Sequence, residues 1–433
     1  MADTLEPPVR YPKDNEEPER RRRKPERRKR SRKTDTESSI IRPEKSFGKL
    51  KMSDLFVTGG FDIPFFGLTM VILAIGLVML FSSSYAYSYY KYDNSYHYFF
   101  RQLIFAAVGI VIMLVISKMN YKVFKALTPI LFGISIALLI IVLFYHTNVA
   151  TDEGEAFKRY IRIPIPGLYL TFQPSDIAKF ALIITLASYI SKNANKMNRI
   201  KEGFIFPILI VGLFVGLVGL ENHLSGVILL FTIGVAVMFA GGSNKTMFII
   251  GIAVVVAGVI LVFARPDIMP NYVQEKMTAW LDKDFEPLGA RWQTNNSLYA
   301  IGSGGFFGTG LGGSKQKYMY VSEPQNDFIF SIVCEELGFF GAAVIICLFA
   351  ALVIRGIIIA LRCNDRFASL TVIGIVTQIG AQVAFNVLVV TDSIPNTGIA
   401  LPFFSYGGTA LVMLLAEIGV VLSISRKSNQ KRV

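Results

Sequence analysis

The sequence carries few charged residues for its length. Only 17% of its 433 residues are Asp, Glu, Lys or Arg, whereas 52% are hydrophobic, and the mean hydropathy of the chain is positive. A soluble globular protein of this size needs a more polar surface, so the composition excludes that class. We therefore expect the lipid bilayer to be the main solvent of the chain.

Cysteine and histidine are also scarce, with three residues of each. Cys334, Cys347 and Cys363 lie in or beside apolar segments and show neither CxxC nor metal-ligand spacing. This pattern argues against a disulfide framework and a zinc site. The histidines are far apart in the sequence, so we predict no histidine metal site and expect His223 to be a hydrogen-bonded packing residue.

The positive charge of the chain is concentrated at its N-terminus. The formal net charge is +13, and all but three residues from Arg20 to Lys33 are basic. This localised charge does not indicate a nucleic-acid-binding fold. Residues 1–55 are rich in charge and Pro and predict a disordered basic cytoplasmic tail, and residues 426–433 predict a second, shorter one. No cleavable signal sequence is evident, so the first apolar segment is expected to be an uncleaved anchor.

The rest of the chain contains apolar stretches long enough to cross a hydrocarbon core of about 30 Å. They predict about ten transmembrane helices, at 63–83, 99–117, 124–145, 175–191, 204–220, 223–240, 246–264, 327–354, 368–390 and 404–424. Only Glu221 and Asn222 separate the fifth span from the sixth, which leaves nine or eleven spans open. The predicted fold class is an all-α polytopic membrane domain over residues 56–425.

Basic residues in alternate loops predict the orientation of the chain. With the N-terminal tail inside, the inside loops contain Lys118, Lys122 and Lys125, then Lys192, Lys196, Arg199 and Lys201, then Lys245, then Arg355, Arg362 and Arg366, and finally Arg426, Lys427, Lys431 and Arg432. This is the positive-inside pattern, so both termini are predicted to be cytoplasmic. The large loop 265–326, between the seventh and eighth spans, is then extracytoplasmic and too long to be a simple connection.

That loop combines carboxylates with glycines. Asp282, Asp284 and Glu286 precede a Pro-Leu-Gly turn, and the Gly-rich runs Ala300–Gly305 and Gly308–Gly313 follow. Backbone N–H groups in such runs can approach an anion closely, which suits phosphate chemistry. A turn that only packs the loop onto the helices is equally consistent with the spacing. A dinucleotide site is not indicated, because no strand of a βαβ unit precedes the GxGxxG pattern.

Charged residues also occur within the predicted spans. Asp176 and Lys179 lie three residues apart on one helical face and can pair inside the membrane, where an isolated charge costs about 3 kcal/mol or more. Arg159 is a further cation shortly before them. Such charges indicate function by default, and a structural ion pair is the alternative. Glu335 and Glu336 cannot share a helical face, so at least one of them needs a cationic partner.

Prolines and glycines interrupt the segment before the last span. Asn386 is followed by the runs Ile394–Gly398 and Leu401–Gly408, each of which contains Pro and Gly. Irregular backbone at membrane depth is tolerated only where protein or a water-filled cavity satisfies it. We expect this segment to form a cavity wall, and a re-entrant turn that merely packs is the alternative.

Taken in order, these motifs resemble the SEDS family of bacteria, whose members serve cell shape, elongation, division and sporulation and include FtsW and RodA. The resemblance covers nearly the whole chain after residue 60. It is carried by Phe172–Lys179, Ala300–Gly305, Ser314–Lys317, Asp327–Phe330, Glu335–Gly338 and Leu401–Gly408. The Ser-Lys-Gln-Lys run before Tyr318 and the basic tail are more similar to the FtsW and sporulation branch than to RodA.

The resemblance implies a ten-helix peptidoglycan glycosyltransferase that polymerises lipid II at the outer face of the cytoplasmic membrane during cell division. It also implies a class B penicillin-binding protein as the cross-linking partner, other divisome membrane proteins and a place at the septum. The essential carboxylate of the family falls on Glu286, where the family has Asp. Because Glu is longer than Asp, the loop backbone must shift to keep the carboxylate within reach of the acceptor hydroxyl. Otherwise, Asp282 or Asp284 takes the role of Glu286. Further departures are Asp176 for Glu, Arg291-Trp292 for Gly-Tyr, Gln325-Asn326 for His-Thr, and Glu221-Asn222-His223 for Gln-Pro-Asp.

The implied reaction is attack by the 4-hydroxyl of an acceptor sugar on the anomeric carbon of a lipid diphosphate-linked donor, with inversion of that carbon. Glu286 is the implied base. The leaving undecaprenyl diphosphate is expected to be bound first by Lys179, and then by Arg159, Lys315, Ser303 and Gly304. A divalent cation, Mg or Mn, near Glu286, Asp282 and Asp284 is an alternative counter-charge. The predicted supporting residues are Asp176, Asp327, Glu335, Glu336, Ser405 and Tyr406.

Two functions from other classes compete with this hypothesis. A transporter that flips lipid II would use the same charges but needs alternating access, and the sequence shows no internal repeat. A non-catalytic scaffold would recruit division proteins through the basic tail. The tail could equally bind anionic lipid headgroups, and each basic residue near the surface would then contribute about 1 kcal/mol of binding free energy. Polymer formation by the purified protein distinguishes the enzyme from both.

Overall fold

The computed structural model describes residues 55–145, 149–150, 156–157, 159–165, 168–244, 246–251, 253, 257, 265, 271–286, 288–289 and 291–429. The predicted N-terminal tail, apart from its last residue, lies outside the described residues. Most of the predicted seventh span and the last four residues of the chain also lie outside them.

The fold is almost entirely helical. The helices are α1 (Ile63–Tyr92), α2 (His97–Lys118), α3 (Lys122–Phe144), α4 (Pro174–Lys192), α5 (Phe206–Leu220), α6 (Leu224–Ala240), α7 (Asn271–Leu281), α8 (Trp292–Gly304), α9 (Ile329–Arg362), α10 (Arg366–Val390) and α11 (Gly408–Asn429). A π-helical turn, Lys201–Ile205, leads into α5. Two antiparallel hairpins lie between α3 and α4, formed by β1 (Val149–Ala150) with β2 (Ala156–Phe157) and by β3 (Ile161–Ile165) with β4 (Leu168–Phe172).

The described helices confirm a polytopic membrane fold. Seven are long and apolar enough to cross a membrane, namely Ile63–Tyr92, His97–Lys118, Lys122–Phe144, Lys201–Leu220, Ile329–Arg362, Arg366–Val390 and Gly408–Lys427. Helix α4 and the shorter apolar helix α6 occupy two more of the predicted spans. A turn at Glu221–His223 separates α5 from α6. The total of ten stays a prediction, because the seventh span lies largely outside the described residues.

Local polar residues set several helix ends. The Asp62 carboxylate accepts a hydrogen bond from the Phe65 N–H at 3.0 Å where α1 begins. Such caps satisfy N–H groups that the first helical turn leaves unpaired. Helix α1 continues to Tyr92, beyond the predicted end at residue 83, because its Tyr-rich end contains neither Pro nor Gly. Asp93 then ends the helix in the left-handed region, with φ 53°.

The predicted inside segments share one end of the bundle. Nε and Nη2 of Arg355 donate to the two carboxylate oxygens of Asp62 at 2.9 and 2.8 Å. The Lys427 ammonium lies 5.0 Å from the ring centre of Tyr121. The basic loops therefore meet as the positive-inside pattern predicts. The side of the membrane that this end faces stays a prediction.

Small residues allow the helices to approach closely. A Cβ atom on Gly374 of α10 would lie 2.5 Å from the Ile183 side chain of α4, and one on Gly109 of α2 would lie 2.5 Å from the Leu415 side chain of α11. Close contact through small residues is typical of helix packing in membranes. The first of these contacts packs α4 against α10, and both helices carry polar side chains into a buried space.

The loop predicted between the seventh and eighth spans contains two helices that its sequence pattern does not predict. Helix α7 and helix α8 lie within the loop 265–326 and are joined by the turn that carries Glu286. Both are short and rich in polar residues, so neither gives the long apolar signal of a membrane span. The loop is therefore an ordered part of the fold over its described residues.

Candidate functional site

A cavity lies among α4, α10, α11 and the irregular segment before α11. Its empty volume is about 490 Å³. The polar side chains on its wall are Asp176, Lys179, Gln378, Gln382, Ser405, Tyr406 and Glu417. The segment Ala400–Gly407 completes the wall, which confirms the prediction that this Pro- and Gly-containing run borders a cavity.

Asp176 and Lys179 form the predicted ion pair on this wall. Lys179 Nζ lies 2.8 Å from Asp176 Oδ1, and the two side chains are 13% and 6% exposed. The second carboxylate oxygen, Asp176 Oδ2, is buried and has no hydrogen-bond partner among the described residues. It can therefore accept a hydrogen bond from a ligand in the cavity.

Glu417 is a second carboxylate on the wall, and no motif in the sequence singles it out. Its side chain is 1% exposed, and Oε2 accepts a hydrogen bond from Gln378 Nε2 at 2.8 Å. Gln378 Oε1 has no partner within the described part of the chain. The only available signal was a single acidic residue in an apolar span, which is costly and indicates function by default.

His223, in the turn between α5 and α6, lies near two cations, Arg159 and Lys179. Arg159 donates a hydrogen bond to the Asn222 carbonyl, and Gln173 Nε2 lies 3.5 Å from His223 Nδ1. Burial, together with the charges of Arg159 and Lys179, lowers the pKa of His223 well below its usual range. The imidazole is therefore neutral near pH 7 and acts as a hydrogen-bonding group, in line with the predicted packing role.

Glu221 is buried in the same turn. Its side chain is 0% exposed, and neither carboxylate oxygen has a hydrogen-bond partner among the described residues. Burial raises the pKa of Glu221 to about 8, against the opposing effect of the Arg159 charge. This turn therefore contains a carboxyl group that exchanges its proton close to neutral pH.

A second polar cluster lies where the Ser314–Lys317 run meets α9, and Glu335 forms half of it. Glu335 Oε2 accepts a hydrogen bond from the Ser314 hydroxyl, and Oε1 accepts one from the Lys315 backbone N–H at 2.8 Å. The side chain of Glu335 is 1% exposed. Both of its carboxylate oxygens are thus satisfied without a ligand.

Glu336 forms the other half and has the cationic partner that was predicted for this pair of residues. Lys317 Nζ lies 2.9 Å from Glu336 Oε1, and the Ser82 hydroxyl donates to the same carboxylate at 2.7 Å. Lys317 and Glu336 side chains are 4% and 0% exposed. We call Glu335, Glu336, Ser82, Ser314 and Lys317 the Glu336 network.

The Gly-rich stretch packs against a kink in α9. Gly338 interrupts that helix with φ 67°. The Gly310 N–H donates to the Glu336 carbonyl at 3.0 Å, and a Cβ atom on Gly304 would lie 2.0 Å from the Cys334 carbonyl oxygen. The glycines allow this close approach of two backbones. The geometry therefore favours the packing interpretation over an open anion-binding loop.

Three of the predicted diphosphate ligands lie at this packed region. Ser303 Oγ donates to the Ala300 carbonyl at 2.9 Å, and Gly304 contacts α9 as described. The Lys315 side chain is exposed, and its backbone N–H is bonded to Glu335. None of the three lines the cavity that holds Lys179.

Glu286 lies exposed on the turn between α7 and α8. Its φ of 40° is unusual for a residue with a side chain, and its carbonyl accepts hydrogen bonds from the N–H groups of Gly289 and Arg291 at 2.9 and 3.3 Å. Asp282 and Asp284 are exposed nearby. Among the described residues, no three His, Cys, Asp or Glu side chains are placed to hold a metal ion. A divalent ion here would need ligands from the substrate.

The remaining supporting residues fix the irregular segment before α11. Asn386 Nδ2 donates to the backbone carbonyls of Asp327 and Ile399 at 2.6 and 2.7 Å. Ser405 Oγ donates to the Asn326 carbonyl at 2.7 Å. Side chains thus satisfy backbone groups that the broken helix leaves unpaired. These contacts hold the segment that forms the cavity wall, and the functional role of Asp327 and Ser405 stays a prediction.

Comparison with known proteins gives the family. The sequence profile of the cell cycle proteins FtsW, RodA and SpoVE matches residues 63–430. The chain belongs to this family. Stage V sporulation protein E of Bacillus subtilis strain 168 is 36% identical over 362 residues, which are 83% of this chain and 96% of that protein. A probable peptidoglycan glycosyltransferase FtsW of Geobacter sp. strain M18 is 33% identical over 371 residues, 85% of this chain and 97% of that one.

Solved structures of the family share the fold. A chain of a peptidoglycan synthase complex that coordinates polymerization and crosslinking has a TM-score of 0.68 to this chain at 25% identity, covering 86% of this chain and 99% of that one. The rod shape determining protein RodA of Thermus thermophilus has a TM-score of 0.61 at 24% identity, covering 85% and 97%. The resemblance inferred from the motifs is confirmed.

Proposed function

We propose that this member of the FtsW, RodA and SpoVE family is a peptidoglycan glycosyltransferase that polymerises lipid II at the outer face of the cytoplasmic membrane during cell division. The similar FtsW proteins are named for that activity. The observation that carries the proposal is the polar cavity that Asp176, Lys179 and Glu417 form within an apolar bundle. A polar site surrounded by membrane helices suits a substrate that joins sugars to a polyprenyl chain.

Glu286 is the proposed base of the reaction. Inverting transfer needs a carboxylate that removes the proton of the acceptor hydroxyl as the glycosidic bond forms. Glu286 is exposed on a turn tied to the segment that continues into the cavity wall. Asp282 and Asp284 are the alternative carboxylates of the same turn.

Lys179 and Arg159 are the proposed ligands of the leaving diphosphate. Its negative charge grows as the bond to the sugar breaks, so nearby cations stabilise the transition state. Both residues lie around His223, whereas Lys315 lies at Glu335. Because the carboxyl groups of Asp176 and Glu417 line the cavity itself, we place the diphosphate near His223, where the charges of Arg159 and Lys179 both act. A Mg or Mn ion carried by the diphosphate would add positive charge there.

The partner and the location follow from the same hypothesis. The similar synthase complex couples polymerization to crosslinking, which supports a class B penicillin-binding protein as the partner of this chain. We also propose other divisome membrane proteins as partners and a location at the septum. The proposed domain organisation is a membrane domain over 56–425 with cytoplasmic tails at 1–55 and 426–433. The cluster of basic loops at one end of the bundle supports this orientation.

The test is polymerisation of lipid II by the purified protein together with its partner transpeptidase. We expect glycan strands from the wild type, a rate lower by about 10²–10⁴-fold for Glu286→Gln, and partial activity for Glu286→Asp. Glu275→Gln, which changes an exposed carboxylate of α7, is the control and should polymerise at the wild-type rate.

Other outcomes would contradict the proposal in distinct ways. Full activity of Glu286→Gln would exclude Glu286 as the base and make Asp282 or Asp284 the next candidate. A wild type that moves lipid II across vesicles without polymerising it would indicate a transporter. A wild type that binds its partner and does neither would indicate a scaffold.

A further inference from the structure

Asp392 occupies an unusual position at the end of α10. It lies two residues after Val390, the last residue of that helix, has φ 56°, and its N–H donates to the Val389 carbonyl at 2.9 Å. This left-handed position after a helix is usually held by Gly, which has no steric penalty there. A carboxylate at a helix C-terminus is also disfavoured by the helix dipole. The contacts of its side chain must therefore account for the presence of Asp at this position.

Asp392 binds both ends of the turn that carries Glu286. Its Oδ2 lies 2.9 Å from Arg291 Nη2 and 2.6 Å from Lys283 Nζ. Its backbone carbonyl accepts a hydrogen bond from Trp280 Nε1 at 3.0 Å. We call Asp392, Arg291, Lys283 and Trp280 the Asp392 clamp.

The pair with Arg291 is the stronger half of the clamp. Arg291 and Asp392 side chains are 3% and 6% exposed, whereas the Lys283 side chain is 65% exposed. Water screens an exposed pair, which then contributes little, but a buried guanidinium and carboxylate hold each other firmly. Arg291 also donates to the Ala279 carbonyl near the end of α7. One guanidinium thus joins α7, the turn and α10.

We propose that Asp392 is a positioning residue that sets the place of the Glu286 carboxylate, an inference that rests on the proposed role of Glu286 as base. Lys283 precedes Glu286 and Arg291 follows it, so the clamp fixes the turn on both sides. Arg291 and Glu286 are both departures from the family pattern, and they occur on the same turn. The Arg291 anchor sets the backbone for a carboxylate that is longer by one methylene, since a base must lie within about 2.6–3.2 Å of the hydroxyl it deprotonates.

The variant Asp392→Asn separates positioning from folding. Asn tolerates the left-handed backbone and keeps the carbonyl bond to Trp280, but it loses the charge that holds Arg291. We expect the kcat for lipid II polymerisation to fall at least tenfold while KM stays within twofold. Arg291→Lys, which keeps the charge, should retain more activity than Arg291→Gln. Glu275→Gln again serves as the control.

Two further measurements exclude a merely structural role. In the Glu286→Gln background, Asp392→Asn should not lower the residual rate further, because the group it positions is already gone. Backbone hydrogen exchange in residues 282–291 should rise in Asp392→Asn, while exchange in α4 stays unchanged.

Three results would overturn the proposal. They are a kcat of Asp392→Asn within twofold of the wild type, an equal proportional loss in the wild-type and Glu286→Gln backgrounds, and unchanged exchange in the turn. If the wild type does not polymerise lipid II, the proposed function fails. The exchange experiment then still decides whether the clamp orders the turn.

Discussion

Two groups of buried polar side chains interrupt this apolar bundle, and they differ in how completely their hydrogen bonds are made. In the Glu336 network, all four carboxylate oxygens accept hydrogen bonds from protein groups. In the cavity, Asp176 Oδ2 and Gln378 Oε1 have no partner among the described residues. A buried polar atom without a partner costs about 1–3 kcal/mol, so such atoms call for an explanation.

The ion pairs themselves do not reveal this difference. The Lys179–Asp176 and Lys317–Glu336 distances are 2.8 and 2.9 Å, and all four side chains are mostly buried. The two sites differ in whether buried oxygen atoms still lack a hydrogen-bond donor, and in whether a cavity lies beside those atoms. We infer that the Glu336 network holds the outer loop on the bundle, whereas the cavity residues keep hydrogen-bonding capacity for a ligand.

The largest expected effect on stability is that of Lys317→Met, which removes the cation of the Glu336 network. Breaking a buried ion pair leaves an unpaired charge and costs about 3–5 kcal/mol, so the melting temperature in detergent should fall strongly. Lys315→Met is the matched control, because the Lys315 side chain is exposed and only its backbone N–H is bonded to Glu335. Equal losses in the two variants would contradict the structural role of the network.

A smaller loss is expected from Ser82→Ala, which removes one hydrogen-bond donor to Glu336. Losing a donor to a buried carboxylate should cost about 1–3 kcal/mol in thermal or chemical unfolding. Ser84→Ala is the control on the same helix, since Ser84 is buried but its hydroxyl has no partner in the described structure. If Ser84→Ala is as destabilising as Ser82→Ala, the hydrogen bond from Ser82 to Glu336 does not stabilise the fold in the way we infer.

Glu221 adds a pH dependence to the stability of the fold. Its carboxyl group has an ordinary pKa of 4.5 and a pKa of about 8 in the folded protein. The folded state therefore binds more protons between these values, so its stability falls as the pH rises through this window. Glu221→Gln should remove this fall, giving a higher melting temperature than the wild type at pH 9 and little difference at pH 4.5.

The control for that prediction is Glu275→Gln, which changes an exposed carboxylate. It should follow the wild-type pH profile. An unchanged profile in Glu221→Gln would mean that the turn between α5 and α6 does not hold a protonated carboxyl group.

The sequence predicts most of the membrane helices because a segment must be long and apolar to cross the hydrocarbon core of the bilayer. It also predicts the Asp176–Lys179 pair, since both residues lie on one helix and their spacing fixes a shared face. The cavity wall before α11 follows from its Pro and Gly residues in the same local way. These features all depend on residues close together in the chain.

Contacts between distant segments are not predictable in this way. Arg291 stands out as a departure from the family, but its partner Asp392 lies 101 residues later. Glu417 pairs with Gln378, 39 residues before it and on another helix. The role of the Gly-rich stretch depends on the kink at Gly338, next to which the Glu336 carbonyl accepts a hydrogen bond from the Gly310 N–H. The spacing of residues along the sequence does not predict these contacts.

The most direct test compares Lys179→Met with Lys317→Met by measuring the lipid II polymerisation rate per folded molecule. Lys192→Met, at an exposed position of α4, is the control and should behave as the wild type. We predict at least a tenfold loss of rate for Lys179→Met, and for Lys317→Met a lower melting temperature with a rate that follows the folded fraction. A Lys179→Met protein that polymerises at the wild-type rate per folded molecule would contradict the assignment of the cavity as the ligand site.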